Sequence, residues 1–530
     1  MAESNAKKLE PAFSFFYHPQ NLKSIFSFER SCSLDLAISY AQEKPNERQE
    51  KAVEASFQNP LSLLWGPPGT GKTWTLALLI CSWLEMALKN GKSLTICVGA
   101  ANYNAIDTVL IEVAKFLARR SKQTNAPITV YRLRSASSEP LEQAGVTDVS
   151  ILKSLSLLNV LESKSGLCIV GGTFMQLLNL SKKKNSINNI NASHWFDLLV
   201  LDEASQITTA VALSYAILLK PHAHMIVCGD DKQLGPVQQF EVGNKRDGLL
   251  DCVFSYFKNS HKITPSALSL NYRSNDEISG WPSERFYAND YASVNKNRIL
   301  ALAMGSGSQP KEWPSTNPWS SSFDSLLSPE TPIAVVTYED KSCTVSNLFE
   351  ASIAAALIRT YYLRLKATNS ELTVEYFWAK HAGLVTPHRA QIATIRNLLG
   401  PDLMPADGGL SFIDTVDRFQ GQERDLIVAC YTVSDTDFIA SEESFILSAR
   451  RFNVTLTRAK SKFILLVSQS LLSHLPQDAV VAEDASHLQL FVGNYCKLAG
   501  KLKLPYIARG LHTEERDCEY FTRELEISVT

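Results

Sequence analysis

Short apolar runs alternate with longer helical stretches along most of the chain. Between about residues 46 and 265 this alternation is typical of a parallel β-sheet with helices on both faces. The predicted strands are short, and polar or glycine-rich loops follow them; they span 61–65, 94–98, 167–170, 198–201 and 225–228. Because ligands of open α/β sheets bind beyond the carboxyl ends of the strands, we expect functional residues in those loops.

A second series of apolar runs begins near residue 268 and predicts a second α/β core. Its predicted strands span 333–337, 383–385, 411–413, 426–431 and 463–467. We therefore predict an N-terminal helical segment, two α/β cores and a C-terminal helical tail, with the boundaries 1–45, 46–265, 266–475 and 476–530.

Two stretches interrupt this order. Residues 116–166 are predicted to form a small helical insertion in the first core. Residues 304–332 are rich in Gly, Ser, Pro and Trp, which predicts a surface insertion in the second core rather than a helix or strand. Trp313 and Trp319 could form a binding surface there or anchor the loop. We favour anchoring, because loops are often packed by their own aromatic residues.

The first predicted strand leads into a glycine-rich turn, Gly66-Pro67-Pro68-Gly69-Thr70-Gly71-Lys72-Thr73, and a helical pattern follows. Glycine lacks a Cβ atom, so backbone N–H groups of such a turn can approach a phosphate, and the positive end of the helix faces the same ligand. Lys72 would reach the β and γ phosphates, and the Thr73 hydroxyl would bind Mg²⁺, which prefers oxygen ligands. The segment predicts a nucleotide triphosphatase.

Another apolar run, residues 198–201, ends in Asp202 and Glu203. In enzymes with a phosphate-binding loop, an Asp at this place anchors the metal ion, and a neighbouring Glu can take a proton from the attacking water. A strand that ends in Asp-Glu is common by itself, and its combination with the phosphate-binding loop makes it specific. We predict Asp202 as the metal anchor and Glu203 as the general base.

Composition narrows the class of protein. The chain has 530 residues, 45% of them hydrophobic and 20% charged, as in ordinary globular proteins, and no apolar run approaches a membrane span. Residues 1–4 do not begin a signal peptide, so we expect a cytoplasmic or nuclear protein with no membrane partner. The ten cysteines are scattered without zinc-like spacing and are expected to be reduced.

Net charge does not indicate a nucleic-acid binder, because 52 basic and 54 acidic residues leave a formal charge of −2. A polyanion would therefore bind in a local groove. Two basic stretches, residues 119–122 and 182–184, could contribute to such a groove or could be solvated loops.

Four further segments, together with the two above, resemble the superfamily 1 helicases, in the branch that contains the nonsense-mediated-decay RNA helicase and its DNA-acting relatives. They are Gly229-Asp230-Asp231-Lys232-Gln233-Leu234-Gly235-Pro236-Val237, Asn271-Tyr272-Arg273-Ser274, Val416-Asp417-Arg418-Phe419-Gln420-Gly421-Gln422-Glu423-Arg424-Asp425 and Arg451-Phe452-Asn453-Val454-Thr455-Leu456-Thr457-Arg458-Ala459-Lys460. The resemblance covers roughly residues 45–470. It implies two tandem RecA-like P-loop domains (an AAA-type helicase core), ATP and Mg²⁺ as cofactors, and movement along single-stranded RNA or DNA, 5′ to 3′.

The resemblance also assigns roles in the ATP site. It implies that Gln49 contacts the adenine edge, since an amide can donate and accept hydrogen bonds together. Gln233 would sense the γ-phosphate, and Tyr272 would stack on the base. Glu423 would help to hold the ribose or γ-phosphate environment.

Two arginines of the second core, Arg273 and Arg458, would meet the γ-phosphate. The guanidinium group suits this role because it stays charged and presents a planar fork of donors. The resemblance thus implies that both cores close around one ATP and that this motion is the motor.

Single-stranded or forked nucleic acid would cross the top of both cores. Small polar residues and backbone amides suit contacts to sugar and phosphate, which are independent of base sequence. The residues that the resemblance assigns to these contacts are Asn102, Thr173, Thr386, Pro387 and Thr415.

Two functions remain open at this level. The first is a helicase that unwinds duplexes while it translocates. The second is an ATPase switch or partner module, in which ATP-driven closure gates the binding of nucleic acid or of a protein partner without unwinding. Relatives carry a β-barrel domain before the adenine-contacting Gln, and the 45 residues here are too few for one, which puts strand separation by a barrel wedge in doubt.

Overall fold

The computed structural model divides into two compact units, Met1–Ser269 and Leu270–Thr530, and each is an α/β fold with its own sheet. The structure describes residues 11–23, 30–120, 127–163, 165–185, 194–236, 251–302, 308–310, 312–314, 317–405, 412–418, 421–510 and 512–525.

The first unit contains an eight-stranded sheet whose pairings are parallel. Its strands are β1 (Leu61–Trp65), β2 (Leu94–Gly99), β3 (Ile128–Arg134), β4 (Val146–Ser150), β5 (Leu167–Gly172), β6 (Phe196–Leu201), β7 (Leu219–Gly229) and β8 (Ser266–Ala267). Their spatial order is β4-β3-β5-β2-β6-β7-β1-β8. The five strands expected from the apolar runs are present.

Helices pack on both faces of this sheet. They are α1 (Pro11–Tyr17), α2 (Arg30–Ser39), α3 (Glu47–Gln58), α4 (Lys72–Lys89), α5 (Tyr103–Arg120), α6 (Leu155–Ser163), α7 (Phe174–Asn185), α8 (Thr209–Ala216) and α9 (Val253–Ser255). Successive residues of one strand point to opposite faces, so Leu63 joins one hydrophobic cluster and Leu64 the other. The expected parallel sheet with helices on both faces is confirmed for this unit.

The expectation that residues 116–166 form a helical insertion is wrong. β3 and β4 lie within this segment and extend the parallel sheet at one edge. Arg132 lies inside β3 and is buried, because it forms ion pairs with Asp107 at 2.6 Å and with Asp148 at 2.9 Å. These charges interrupt the apolar pattern of the strand, and hydrophobic periodicity therefore missed it.

The second unit contains a seven-stranded sheet in the order β13-β12-β14-β15-β11-β17-β16, and a two-stranded pair, β10-β9. The strands are β9 (Leu270–Asn271), β10 (Ala292–Ser293), β11 (Ile333–Tyr338), β12 (Ala382–Val385), β13 (Ile413–Asp414), β14 (Arg424–Cys430), β15 (Ala459–Ser468), β16 (Lys497–Ile507) and β17 (Thr513–Arg523). β11 to β15 pair in parallel, as expected. Residue 411, in one of the predicted strands, lies outside the described residues.

The helices of the second unit are α10 (Asp276–Phe286), α11 (Ser322–Leu326), α12 (Leu348–Lys366), α13 (Val374–Tyr376), α14 (Arg389–Leu399), α15 (Thr436–Ile446), α16 (Ala449–Leu456), α17 (Gln469–Leu472) and α18 (Ala479–Leu490). Across both units, short 3₁₀ or π-helical turns span Pro19–Asn21, Ile151–Lys153, Ala204–Gln206, Tyr256–Ser260, Phe377–His381, Pro401–Leu403 and Phe491–Tyr495. A large hydrophobic cluster lies on one face of the sheet, and Phe463 of β15 packs near Phe491 on the other.

The expectation that residues 476–530 are mostly helical is wrong from Lys497 onward. β16 and β17 form a long antiparallel pair, and β17 adds antiparallel to β11 at the edge of the parallel sheet. Apolar and polar residues alternate along this pair, with Leu504 buried and Lys503 exposed, which is the period of a strand.

The segment 304–332 is partly structured. Phe323 and Leu326 of α11 are fully buried in the hydrophobic cluster, so the segment contains an element that composition did not predict. Trp313 is buried, and its Nε1 donates to the Asn317 carbonyl oxygen at 2.9 Å. Trp319 packs against the same cluster. Both rings therefore anchor the segment, as favoured from the sequence.

The described part of the first basic stretch is not a solvated loop, whereas Lys182 of the second stretch is exposed. Arg120 is buried in an ion pair with Glu85, and Arg119 Nη2 donates to Gln42 Oε1 at 2.8 Å. Arg120 therefore stabilises the first unit internally. Residues 121 and 122 and the side chains of 183 and 184 lie outside the described residues.

The nine cysteines whose side chains the structure describes are free thiols. Among the described helices, none is both long enough and apolar enough to span a bilayer.

Candidate nucleotide and nucleic-acid sites

β1 leads directly into the turn at residues 66–71, and α4 begins at Lys72. Gly69 and Gly71 have φ angles of 75° and 81°, a left-handed conformation that glycine adopts without strain. A Cβ atom at Gly66 would lie 2.7 Å from the Thr70 hydroxyl oxygen and 2.8 Å from Cγ of Lys72. The turn therefore requires glycine, and its backbone N–H groups at the helix start suit an anionic phosphate.

Lys72 lies across this turn. Its Nζ donates to the Gly66 carbonyl oxygen at 2.7 Å and lies 3.5 Å from that of Pro67. The Thr70 hydroxyl donates to the same Pro67 oxygen at 2.8 Å. Because an ammonium group has three donors, Nζ can keep a carbonyl contact and still bind a phosphate oxygen.

Asp202 follows β6 and is buried, with 4% of its surface exposed. Its N–H donates to the Gly99 carbonyl oxygen at 2.9 Å, and its Oδ1 accepts from the Glu203 N–H at 2.9 Å. Burial raises the pKa of Asp202, the Glu203 carboxylate raises that pKa further, and Lys72 lowers it. A buried carboxylate in this position gains from a divalent cation, and the hard oxygens of Thr73 and Asp202 fit Mg²⁺.

Glu203 has φ 49° and ψ 42°, a left-handed conformation in a residue other than glycine. Such a conformation costs about 1–3 kcal/mol and is typical of functional sites. Unlike Asp202, Glu203 is partly exposed. The two carboxylates therefore have different environments, which suits an anchor and a base.

Gln233 is held by Asp230, which follows the end of β7. Gln233 Nε2 donates to Asp230 Oδ2 at 2.9 Å, and Gln233 N–H donates to the Asp230 carbonyl oxygen at 3.2 Å. Asp230 is fully buried, and its Oδ1 also accepts from the Lys232 N–H at 3.0 Å. Gln233 thus has a fixed orientation, as a phosphate sensor requires.

Gln49 lies in the first turn of α3, close to the phosphate-binding turn. Its Oε1 accepts from the Asn46 N–H at 3.0 Å, and Asn46 Oδ1 accepts from the Gln49 N–H at 3.0 Å, so the pair caps the helix. A Cβ atom at Gly71 would lie 3.0 Å from Gln49 Nε2. The amide therefore stands beside the turn, and its Nε2 and the second lone pair of Oε1 suit an adenine edge.

In the second unit, Arg273 and Glu423 form an ion pair. Arg273 Nη1 also donates to the Thr457 carbonyl oxygen at 2.8 Å, and Lys460 Nζ lies 3.0 Å from the second oxygen of Glu423. Burial opposes ionisation of Glu423, but Arg273 and Lys460 outweigh it and lower the pKa of Glu423 to about 2. Glu423 is therefore a fixed anion that orients two cations.

Arg458 follows α16 and is buried, with 2% exposed. Its Nη1 donates to the Gln422 carbonyl oxygen at 3.3 Å, and its carbonyl oxygen accepts from the Arg424 N–H at 3.0 Å. The structure thus brings Arg458, Glu423 and Arg273 into one part of the second unit.

Tyr272 is presented by a tight turn. Asn271 Oδ1 accepts from the N–H groups of Arg273 at 2.8 Å and Ser274 at 3.3 Å, which fixes the turn. Tyr272 is 37% exposed, so a base can stack on its ring.

Asn102 and Thr173, the candidate nucleic-acid contacts of the first unit, follow the adjacent strands β2 and β5. Asn102 is exposed, and its Oδ1 accepts from the Ala105 N–H at 3.0 Å. The Thr173 carbonyl oxygen accepts from the Gln176 N–H at 3.0 Å. Both residues therefore directly precede helices, α5 and α7, at the end of the sheet where the parallel strands finish.

In the second unit, Thr386 is buried and its hydroxyl lies 3.0 Å from that of Thr432. Thr386 supports its loop from inside, and its side chain does not face solvent. Thr386, Pro387 and Thr415 line one cavity of about 40 Å³, and of the three only Pro387 and Thr415 are partly exposed. These two residues are the better candidates for a surface contact.

Comparison with known proteins identifies the family. Two family models, each described as an AAA domain, match residues 49–239 and 249–470. The Mus musculus protein named DNA replication ATP-dependent helicase/nuclease DNA2 is 26% identical over 494 residues, which cover 89% of this chain and 41% of that protein. The chain belongs to the superfamily 1 helicases. This family consists of ATP-hydrolysing enzymes.

Two further relatives show the branch of this helicase. The Saccharomyces cerevisiae DNA polymerase alpha-associated DNA helicase A is 22% identical over 482 residues, or 81% of this chain and 65% of that protein. The Arabidopsis thaliana Regulator of nonsense transcripts 1 homolog is 24% identical over 468 residues, or 81% of this chain and 33% of that protein. The match to the mouse relative covers less than half of that protein's length.

Asp230 and Lys460 lie within the helicase segments, but no role was predicted for either of them. The signal for Asp230 was its place directly after an apolar strand, which the structure shows as β7. No local signal pointed to Lys460, because its partner Glu423 lies in a different segment of the chain.

Proposed function

We propose that this helicase hydrolyses ATP and moves along a single strand of nucleic acid in the 5′ to 3′ direction. The observation that carries the proposal is the arrangement of residues beyond the carboxyl ends of β1 and β6 in the first unit. There Lys72 lies across a turn that requires glycine and acts electrostatically on the buried Asp202, next to the strained Glu203. This arrangement suits phosphoryl transfer.

In the proposed reaction, the turn and Lys72 hold the β and γ phosphates. Thr73 and Asp202 would hold Mg²⁺, which when bound neutralises phosphate charge. Glu203 takes a proton from water as the water oxygen bonds to the γ-phosphorus and the bond to the bridging oxygen breaks. Gln233, oriented by Asp230, contacts the γ-phosphate.

Replacing Lys72 or Glu203 tests the active site. We expect Lys72→Ala and Glu203→Gln to lower ATP turnover by at least about 10³-fold, because each loses a group that acts on phosphate or water. Glu203→Gln should still bind ATP, measured with a fluorescent analogue. Lys92→Ala, an exposed lysine beyond α4, is the matched control. Parental turnover in Glu203→Gln would refute the assignment of the base.

The proposal also assigns Arg273 and Arg458 of the second unit to the γ-phosphate. Arg458→Ala should reduce turnover by about 10³-fold, by analogy with arginine fingers, and should leave ATP binding largely intact. The ratio of turnover with and without a single strand measures the coupling and should fall to one. If Arg458→Ala keeps strand-stimulated hydrolysis, the proposal that Arg458 couples strand binding to ATP hydrolysis is wrong.

A forked duplex distinguishes a helicase from an ATPase switch that does not unwind. The helicase separates a labelled strand only with ATP and only from forks with a 5′ single-stranded arm. A switch hydrolyses ATP on the same fork without releasing the strand. Stimulation by DNA and RNA strands of equal length and sequence assigns the preferred sugar.

A further inference from the structure

Tyr215 of α8 is buried, with 1% exposed, and its hydroxyl bridges two loops of the first unit. The hydroxyl oxygen lies 3.1 Å from the Ala100 carbonyl oxygen and 3.1 Å from the Gly172 carbonyl oxygen. Ala100 follows β2 and Gly172 ends β5. One side chain therefore joins the starts of the loops that carry Asn102 and Thr173.

The reason for this bridge lies in the sheet. β2 and β5 pair from Leu94 and Leu167 to Val98 and Gly171. Beyond that point the two strands no longer pair with each other, since Gly99 pairs with Leu201 of β6 and Gly172 with Leu133 of β3, and a donor that reaches both chains can still join them. The Tyr215 hydroxyl is that donor.

The ring reaches this place only because residue 99 is glycine. A Cβ atom at Gly99 would lie 2.6 Å from the Tyr215 ring. The same Gly99 accepts, through its carbonyl oxygen, a hydrogen bond from the Asp202 N–H at 2.9 Å. The backbone next to Ala100 is thus hydrogen-bonded to the backbone of Asp202, whose carboxylate would anchor the metal in the proposed mechanism.

α8 strengthens this connection. It begins shortly after Glu203 and the turn Ala204–Gln206, and its Tyr215 returns to the loops after β2 and β5. The ring of Phe174, the residue after Thr173, packs edge-on against Tyr215 with centroids 6.4 Å apart. Through its hydroxyl and its ring, Tyr215 therefore contacts both candidate nucleic-acid loops.

We propose that Tyr215 is a positioning residue for strand binding: its hydroxyl fixes the loops of Asn102 and Thr173 relative to each other. This inference rests on the proposed function and deepens it. The ligand is the sugar–phosphate backbone of a single strand, which Asn102 and Thr173 contact together only when their loops keep this spacing.

Tyr215→Phe in the full chain tests the proposal, because it removes the hydroxyl and keeps the ring. We expect about tenfold weaker binding of a labelled single strand by fluorescence anisotropy, and a lower ratio of strand-stimulated to unstimulated turnover. The KM for ATP without a strand should not change. Tyr256→Phe is the matched control, since its hydroxyl donates to the Phe16 carbonyl oxygen at 2.8 Å in the same unit.

A double-mutant cycle with Asn102→Ala separates positioning from general stability. If Tyr215 acts through the loop, its effect on strand affinity should shrink in the Asn102→Ala background. Fully additive effects, or strand affinity equal to that of Tyr256→Phe, would overturn the inference. A changed KM for ATP in Tyr215→Phe, together with a lower melting temperature, would also overturn the inference. A parental protein that no strand stimulates would refute the proposed function instead.

Discussion

Several candidate site residues depend on side chains that act on no ligand themselves. Asp230 orients Gln233, and Lys460 shares Glu423 with Arg273. A group that must meet phosphate at a defined angle gains rate from being held before the ligand arrives. The supporting residues therefore belong to the function of the site.

Glu350 is a support of this kind in the second unit. It is fully buried on α12, where its carboxyl oxygens accept from the Tyr338 hydroxyl at 2.7 Å and from the Thr432 N–H at 2.7 Å. Burial raises the pKa of Glu350 to about 8, although both hydrogen bonds lower it. The hydroxyl of Thr432 in turn contacts Thr386.

This carboxyl makes stability depend on pH. The pKa of Glu350 is higher in the folded than in the unfolded protein, so folding is favoured at low pH and loses stability as pH rises from about 4 through about 8. Glu350→Gln resembles the protonated acid. We expect the free energy of unfolding of Glu350→Gln, relative to the parent, to be higher at about pH 9 than at about pH 5 by on the order of 1–4 kcal/mol.

Chemical denaturation at the two pH values measures this difference. Glu371→Gln, the same change at an exposed position, is the control. A stability difference between Glu350→Gln and the parent that is the same at both pH values would show that Glu350 has no raised pKa.

Among the elements, the strands with continuous apolar runs were predictable and the others were not. β1, β2 and β6 are buried along nearly all of their length, and their sequences show it. β3 contains the buried Arg132, and many charged residues of the edge strand β16 and of its neighbour β17 are exposed or only partly buried. Hydrophobic periodicity detects a strand only when burial excludes charge.

The ion pairs of β3 give a test at this scale. Arg132→Ala leaves the partly buried Asp107 without this cation and Asp148 with Arg134, and we expect a loss of about 1.5–3 kcal/mol in the free energy of unfolding. Lys115→Ala removes an exposed partner of Glu112 and should cost at most about 1 kcal/mol. Urea denaturation compares the two variants. Equal losses would mean that the β3 cluster does not stabilise the edge of the sheet.

For the whole molecule, the near-neutral charge of −2 limits how nucleic acid can bind. Long-range attraction is weak, so affinity must come from local contacts to phosphate, which release counterions.

We therefore expect single-strand affinity to fall by at least about tenfold between about 50 and about 200 mM salt, with little dependence on base sequence. Fluorescence anisotropy with two strands of equal length and different sequence measures both properties. An affinity that is unchanged by salt would contradict a groove that contacts the backbone.

The two α/β cores, the phosphate-binding turn and the carboxylate pair were predictable from the sequence, because they depend on local periodicity and on fixed spacing within one segment. Which distant groups meet depends on the three-dimensional fold. Arg273 and Glu423 are 150 residues apart, and Tyr215 lies 115 residues from Ala100. Burial of a charge or hydroxyl is stable only when folding supplies its partner, and no local pattern contains that partner.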